Sequence, residues 1–349
     1  MHIKRLIHTI DTHTGGECTR VVVHGYPDLP RAHPREIREL LSAQYDHLRR
    51  LLIWEPRGHQ HMFGAVLLPK SQAETDFGVV FMDTGGYLPM CIHGMIGVVV
   101  AAAESGQISI DGPGKPLKIE TPAGTVSVRF QSKDHTGLEV TVRNVPCYVA
   151  QSAMEVQLGT RKARVDIVYS GNFCALVDAS ELGHTIHPRY LADFIEAGTA
   201  IRNAIDQQMQ FVHPERENEG ASRVDLVEFT ESPANSHSHS RSVVVFGAGQ
   251  VDRSPCGTGT CAKMALLRSR GMLPLGQEFV QEGILGTTFS GRLVEDRAVG
   301  SHMGVIPEVT GTAFVTAIQQ IVADSRDPLC EGFLLGPESE FAPKIKPWF

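Results

Sequence analysis

The sequence predicts an α/β fold of the α+β kind, in two similar halves that each set strands around one central helix. Three observations carry the prediction. First, one phrase occurs twice: Gly86-Tyr87-Leu88-Pro89-Met90-Cys91-Ile92-His93-Gly94 opens the small, apolar run Met95 to Ala103, and Asp252-Arg253-Ser254-Pro255-Cys256-Gly257-Thr258-Gly259-Thr260 opens the run Cys261 to Leu267. Second, the copies share a spacing, with Gly94 and Gly259 three residues after the cysteine and Gly106 and Gly271 fifteen residues after it. Third, short segments of period-two alternation, the signature of half-buried strands, flank both runs.

At 349 residues and 42% hydrophobic the chain can bury a full core, and at roughly 100–200 residues per domain two units are expected. The expected units are 1–149, carrying Cys91, and 150–319, carrying Cys256, with the segment from about 320 to 349 free to pack back onto the first. A net charge of −7 and the lack of a basic run argue against nucleic acid and anionic membrane surfaces as partners. Met1 to Leu6 contains no signal-peptide stretch, and the longest apolar run, Ile96 to Ala103, is too short to span a bilayer, so the chain reads as cytoplasmic. Seven widely spaced cysteines do not resemble a disulfide framework.

Each element has its own justification. His2 to Val23 alternates β-branched and polar residues around a break at Thr12-His13-Thr14-Gly15-Gly16-Glu17, which predicts two strands and a glycine loop. Pro34 opens a helical segment that runs through Arg50. Ala65 to Leu68 and Gly78 to Met82 are short apolar strands, and after the first cysteine helix come Leu117 to Glu120, Thr125 to Phe130 and Leu138 to Arg143. The second half repeats the plan with strands at Ala163 to Tyr169 and Cys174 to Val177, a long helix over Pro188 to Gln208, and strands at Val224 to Phe229 and Val243 to Phe246. Short strands follow Gly276, and Ile318 to Asp324 is read as a last helix.

A thiol at a helix start has a chemical use. The first N–H groups of a helix are unpaired and carry about half a positive charge, which favours a thiolate or a bound carboxylate. A cysteine there can have its pKa lowered from about 8.5 towards neutrality. Two such helices facing one cavity would hold a carboxylate between them and set a thiol on each side of its α-carbon. A lone cysteine is more often a small buried hydrophobe. That reading applies to Cys18, Cys147, Cys174 and Cys330, and to Cys261 inside the second helix, whereas the matched glycine context of Cys91 and Cys256 points to chemistry.

These residues resemble the proline racemase family, which includes proline racemases, 4-hydroxyproline 2-epimerases and trans-3-hydroxyproline dehydratases. The nine residues from Asp252 to Thr260 look like its signature, supported by Asp11 to Glu17, Glu55-Pro56-Arg57-Gly58-His59 with Met62-Phe63-Gly64, and Gly171-Asn172-Phe173. The resemblance runs from about residue 5 to residue 320. It implies the diaminopimelate-epimerase-like fold, two pseudo-symmetric halves with the site in the cleft between them. It also implies inversion at Cα of proline or 4-hydroxyproline without a cofactor or metal, by Cys91 and Cys256 as paired acid and base. His93 and Asp252 accompany the thiols, the backbone at Ile92, His93, Gly257 and Thr258 receives the substrate carboxylate, Gly94 is a further substrate-binding residue, and Phe63 and Phe246 wall the ring, with Leu88 a weaker candidate. A small-molecule substrate is the partner implied, and a homodimer is compatible with it.

Dehydratases of the family typically carry Thr where this chain has Cys256, which favours inversion over elimination. Between proline and 4-hydroxyproline the motifs divide: Gly94 leans to the epimerases, while Gly58-His59 and Met62-Phe63-Gly64 lean to the racemases. Ile92 stands where the family has Gly, and is expected to crowd the ligand or to resist the φ required. Met95 replaces a small polar residue, and His61 stands where an acidic one is common. The alternatives are therefore a trans-3-hydroxyproline dehydratase, or a non-catalytic binder of proline derivatives with the same fold. His59/His61 and His237/His239 lack the further ligands of a zinc site. A Cys-His hydrolase leaves one matched thiol unexplained, and Gly247-Ala248-Gly249 is too short for a dinucleotide fingerprint.

Overall fold

The computed structural model describes residues 3–108, 115–133, 137–159, 161–216 and 220–335. His2, the first residue of the predicted N-terminal strand, and residues 336–349 of the C-terminal segment lie outside the described residues. The strands, in chain order, are β1 (Ile3–Thr14), β2 (Glu17–His24), β3 (Gly64–Leu68), β4 (Phe77–Met82), β5 (Tyr87–Leu88), β6 (Leu117–Thr121), β7 (Gly124–Lys133), β8 (Gly137–Arg143), β9 (Cys147–Leu158), β10 (Arg161–Tyr169), β11 (Phe173–Asp178), β12 (Leu226–Glu231), β13 (Ser240–Phe246), β14 (Gln250–Val251), β15 (Glu278–Glu282), β16 (Thr288–Val299) and β17 (His302–Asp324). The helices are α1 (Pro34–Gln44), α2 (Asp46–Ile53), α3 (Ile92–Glu104), α4 (Leu191–Gln208) and α5 (Gly257–Ser269). None is long and apolar enough to cross a membrane.

Strand pairing closes two rings. In the first, β1 pairs β2, β2 runs parallel to β3, β3 pairs β4, β4 runs parallel to β6, and β6, β7 and β8 follow antiparallel to β17, which returns to β1. In the second, β10 pairs β11, β11 runs parallel to β12, β12 pairs β13, β13 runs parallel to β15, β15 pairs β16, β16 pairs β17, and β17 meets β9, which pairs β10. The parallel steps and the small strands β5 and β14 fall at matching places. A closed ring leaves no unpaired edge and encloses a space that a helix can fill.

Helices α3 and α5 fill those spaces, and each is 13 residues long. Every residue of α3 from Ile92 to Ala103 is buried, which is why its sequence is apolar all round rather than striped. Gly106 (φ +73°) and Gly271 (φ +71°) end them in the left-handed region. The closing hydrogen bonds match, with Gln107 N–H to the Ala102 carbonyl and Met272 N–H to the Leu267 carbonyl. This six-to-one closure is a Schellman end, so the fifteen-residue spacing in sequence is one helix length plus its cap.

Three local expectations are corrected. Pro34 to Arg50 is two helices, broken at Tyr45 (φ −125°, ψ 14°), whose N–H closes α1 on Leu41 while its carbonyl accepts from Leu48. The strands after Gly276 are not all short, since β16 has 12 residues and β17 has 23. Ile318 to Asp324 is strand, because this end of β17 lies in register with β1, pairing Ile10 with Ile318 and Ile7 with Ile321. Tertiary pairing overrides a short run whose periodicity is ambiguous.

Candidate active site

Both repeated cysteines are helix N-caps. Cys91 Sγ accepts from Gly94 N–H at 3.3 Å, and Cys256 Sγ accepts from Gly259 N–H at 3.4 Å. The glycines three residues on are therefore the N3 positions whose N–H the thiols satisfy. The first two N–H groups of each helix, from Ile92 and His93 and from Gly257 and Thr258, have no intrahelical acceptor by helix geometry. These four residues line one small cavity together with Cys91, Asp252 and Cys256, with Phe63, Leu88 and Phe246 among its walls.

The geometry joins most of the predicted residues and revises the others. Gly94 does not line the cavity; a Cβ there would lie 2.9 Å from Phe63 and 3.0 Å from Phe81, so its smallness seats the aromatic wall. Ile92 sits in the first turn of α3 without a positive φ, contrary to the expected strain. Its side chain instead fills the room above Gly257, where an added Cβ would fall 2.4 Å from that of Ile92. The two helix starts thus meet through one β-branched side chain and one bare backbone. Among the residues that line the cavity, the non-glycine with a positive φ is Cys256, at +57°. Met95 is fully buried and is not among the lining residues.

The two thiols sit in different electrostatic surroundings. His93 Nδ1 lies 3.2 Å from Cys91 Sγ and 3.6 Å from Asp252 Oδ2, so an imidazole of the first half bridges its own thiol and a carboxylate of the second. Burial opposes a charge on His93, but Cys91 and Asp252 outweigh it and hold the imidazole well above its usual value. Asp252, despite burial, is held below the usual carboxylate range by His93 and by the Ser254 N–H that its Oδ1 accepts at 2.8 Å. Among the described residues no imidazole contacts Cys256; burial, then Asp252 and Glu228, push its thiol well up. At Cys256 burial and the two carboxylates outweigh the lowering effect of the Gly259 N–H that its sulfur accepts.

Several residues of the site were not legible as such. Asn172 donates to the Met90 carbonyl at 2.7 Å and accepts from Met90 N–H at 3.3 Å, clamping the segment that delivers Cys91. Met90 and Leu226 join the apolar wall. Glu17, noticed only within a motif, is fully buried, and its Oε2 accepts from Arg253 N–H at 2.8 Å. Polar side chains in ordinary strands give no periodic signal; only the adjoining Gly15-Gly16 and Gly171 marked these loops.

Comparison with known proteins fits this geometry. The family model described as "Proline racemase" matches residues 9–334. The chain belongs to the proline racemase family. It is 40% identical over 336 residues to a "Proline racemase" of Clostridioides difficile, and equally to a "4-hydroxyproline 2-epimerase" of Streptosporangium roseum, in each case over 96% of this chain and 100% of the relative. Among solved structures, a hydroxyproline epimerase from Agrobacterium vitis with bound trans-4-OH-L-proline superposes with a TM-score of 0.89 at 32% identity, covering 96% of this chain and 97% of that one. The architecture is thus the diaminopimelate-epimerase-like one that the motifs implied.

Proposed function

We propose that this protein inverts the α-carbon of free proline, without a cofactor, using Cys91 and Cys256 as paired acid and base in the cleft between halves 1–149 and 150–319. The observation that carries the reading is that two thiols, each capping a helix, line one cavity together with the first-turn residues of both helices. The substrate carboxylate is held by the N–H groups of Ile92, His93, Gly257 and Thr258, and its ammonium by Asp252, the carboxylate lining the cavity. The thiolate on one face takes the Cα proton. Negative charge then develops on the carboxylate, where preorganised N–H groups stabilise it. The thiol on the other face delivers its proton to the carbanion, leaving product with inverted configuration and the two sulfurs with exchanged protonation. His93 steadies the Cys91 side of this exchange.

Proline is favoured because the ring walls, Phe63, Leu88, Met90, Leu226 and Phe246, are apolar, while Asn172 is already engaged with Met90 on both sides. The equal identity to a 4-hydroxyproline 2-epimerase supports a second reading, epimerisation of 4-hydroxyproline, since an apolar pocket rejects an added hydroxyl only weakly. The test is a panel of L- and D-proline and the 3- and 4-hydroxyprolines in D2O, read by polarimetry and NMR with no cofactor added. Inversion with deuterium incorporation is expected for proline. Inversion of 4-hydroxyproline alone replaces the first reading by the second, elimination from 3-hydroxyproline replaces both, and binding without exchange leaves a non-catalytic protein. A cytoplasmic location and a homodimer belong to the same proposal.

A further inference from the structure

Glu17 opens β2 directly after the Gly15-Gly16 turn, and its carboxyl is fully buried where the two halves meet. One oxygen, Oε2, accepts from Arg253 N–H at 2.8 Å, in the loop between Asp252 and Cys256. The other, Oε1, is buried and has no hydrogen-bond partner among the described residues. An unpaired buried carboxyl oxygen is costly, so its retention calls for a use.

The surrounding contacts indicate one. The hairpin that carries Glu17 touches both helix starts. On the Cys91 side, Thr14 donates its hydroxyl to the His93 carbonyl at 3.0 Å. On the Cys256 side, a Cβ on Gly15 would meet Pro255 at 3.2 Å and Ser254 at 3.3 Å, and Thr287 donates to the Gly15 carbonyl at 2.9 Å. Ser254 in turn accepts from Cys256 N–H at 3.1 Å. The loop that Glu17 holds is therefore the one that gives Cys256 its positive φ.

We propose that Glu17 is a positioning residue, fastening the loop that carries Asp252 and Cys256 to the hairpin that supports His93, so that one buried carboxyl sets the two thiols in register. The inference rests on the two-thiol reading. Its charge state follows from its neighbours: burial and Asp252 push Glu17 up to about 8, against the weaker opposing pull of His93 and Arg253. The groups facing it are Asp252 and Arg253 from the loop, His93 from α3 and Cys18 beside it in β2. Protonated Glu17 leaves Asp252 as the one carboxylate among the groups facing it. Ionisation adds a second.

The test compares wild type with Glu17→Gln, which keeps an acceptor for Arg253 N–H, and Glu17→Ala, which does not. The readout that needs no substrate is alkylation by iodoacetamide at each cysteine, resolved by mass spectrometry. Glu17→Ala is expected to change the ratio of Cys256 to Cys91 labelling by about tenfold, whereas Glu17→Gln stays within about twofold of wild type. On proline, Glu17→Ala is expected to lose inversion by on the order of 100-fold, mostly in kcat. It should still exchange the Cα proton of one enantiomer faster than it inverts it, because one thiol remains placed. Inversion by wild type should decline as pH passes about 8, and Glu17→Gln should lack that decline. A Glu17→Gln protein as impaired as Glu17→Ala overturns the proposal, as does unchanged labelling in both. If Glu17→Ala does not fold, a Glu17→Gln pH profile that keeps the wild-type decline overturns it. Failure of wild type on every substrate, with the labelling ratios as expected, counts against the racemase reading and leaves the positioning role standing.

Discussion

At the scale of single residues, the site depends on a conformation that most side chains avoid. A non-glycine φ of +57° at Cys256 costs on the order of 1–3 kcal/mol and persists only where the surroundings impose it. Here the imposing contacts are the Ser254 hydroxyl on the Cys256 N–H and the Glu17 carboxyl on the Arg253 N–H. Cys91 reaches the equivalent place with an extended backbone, φ −153°. If each thiol serves one face of the substrate, Cys91→Ser and Cys256→Ser should each lower inversion by roughly 10²–10⁴-fold, measured by polarimetry from either enantiomer.

Glu17 also makes a prediction about stability. Its folded value, about 8, lies above the ordinary 4.5, so between these limits the folded protein keeps a proton that the unfolded chain releases. Its contribution to stability is fully present below pH 4.5 and is lost as pH rises through 8. Urea unfolding of wild type against Glu17→Gln should therefore show wild type losing ground with rising pH, by on the order of 1 kcal/mol per pH unit in that window. Parallel pH dependences in the two proteins would contradict it.

At the scale of elements, the informative contact is between the helix starts. Gly257 and Ile92 divide one space, and neither a helical Ile nor the buried backbone beside it has room to yield. Gly257→Ala should cost stability and reaction rate together. Ile92→Gly alone should cost stability through a cavity, but combined with Gly257→Ala it should recover part of the loss. The expected coupling in the double-mutant cycle is about 1–3 kcal/mol, read by urea unfolding. The side chain of Ile92 is thus accommodated by the bare backbone of Gly257 in the facing helix.

At the scale of the whole molecule, β17 belongs to both rings. Its first part pairs β16 and β9, its middle pairs β8, and its end pairs β1 from Thr14 back to Ile3. The first ring is therefore closed by residues 313–324, which follow the second ring in sequence. A fragment of residues 1–149 lacks that strand and should show no cooperative thermal transition by circular dichroism, whereas adding the complementary fragment should restore one. A cooperative transition of 1–149 alone would sink this expectation.

The parts of the molecule set by local chemistry were legible in the chain. The two cysteine helices, their thiol caps and their glycine ends follow from residues within one helix length of each other, and so did the alternating strands from β6 to β8. The lining residues Phe63, His93, Phe246, Asp252 and Thr258 were legible through the family's motifs. What tertiary structure alone decided involves partners distant in sequence. The strand conformation of Ile318 to Asp324 depends on β1, about three hundred residues away, and the accommodation of Ile92 depends on Gly257. The bridge from Cys91 through His93 to Asp252, and the burial of Glu17 beside it, exist only once two rings share a strand. Local sequence sets which backbone conformations are cheap, but burial and charge are sums over neighbours that only the closed fold assembles.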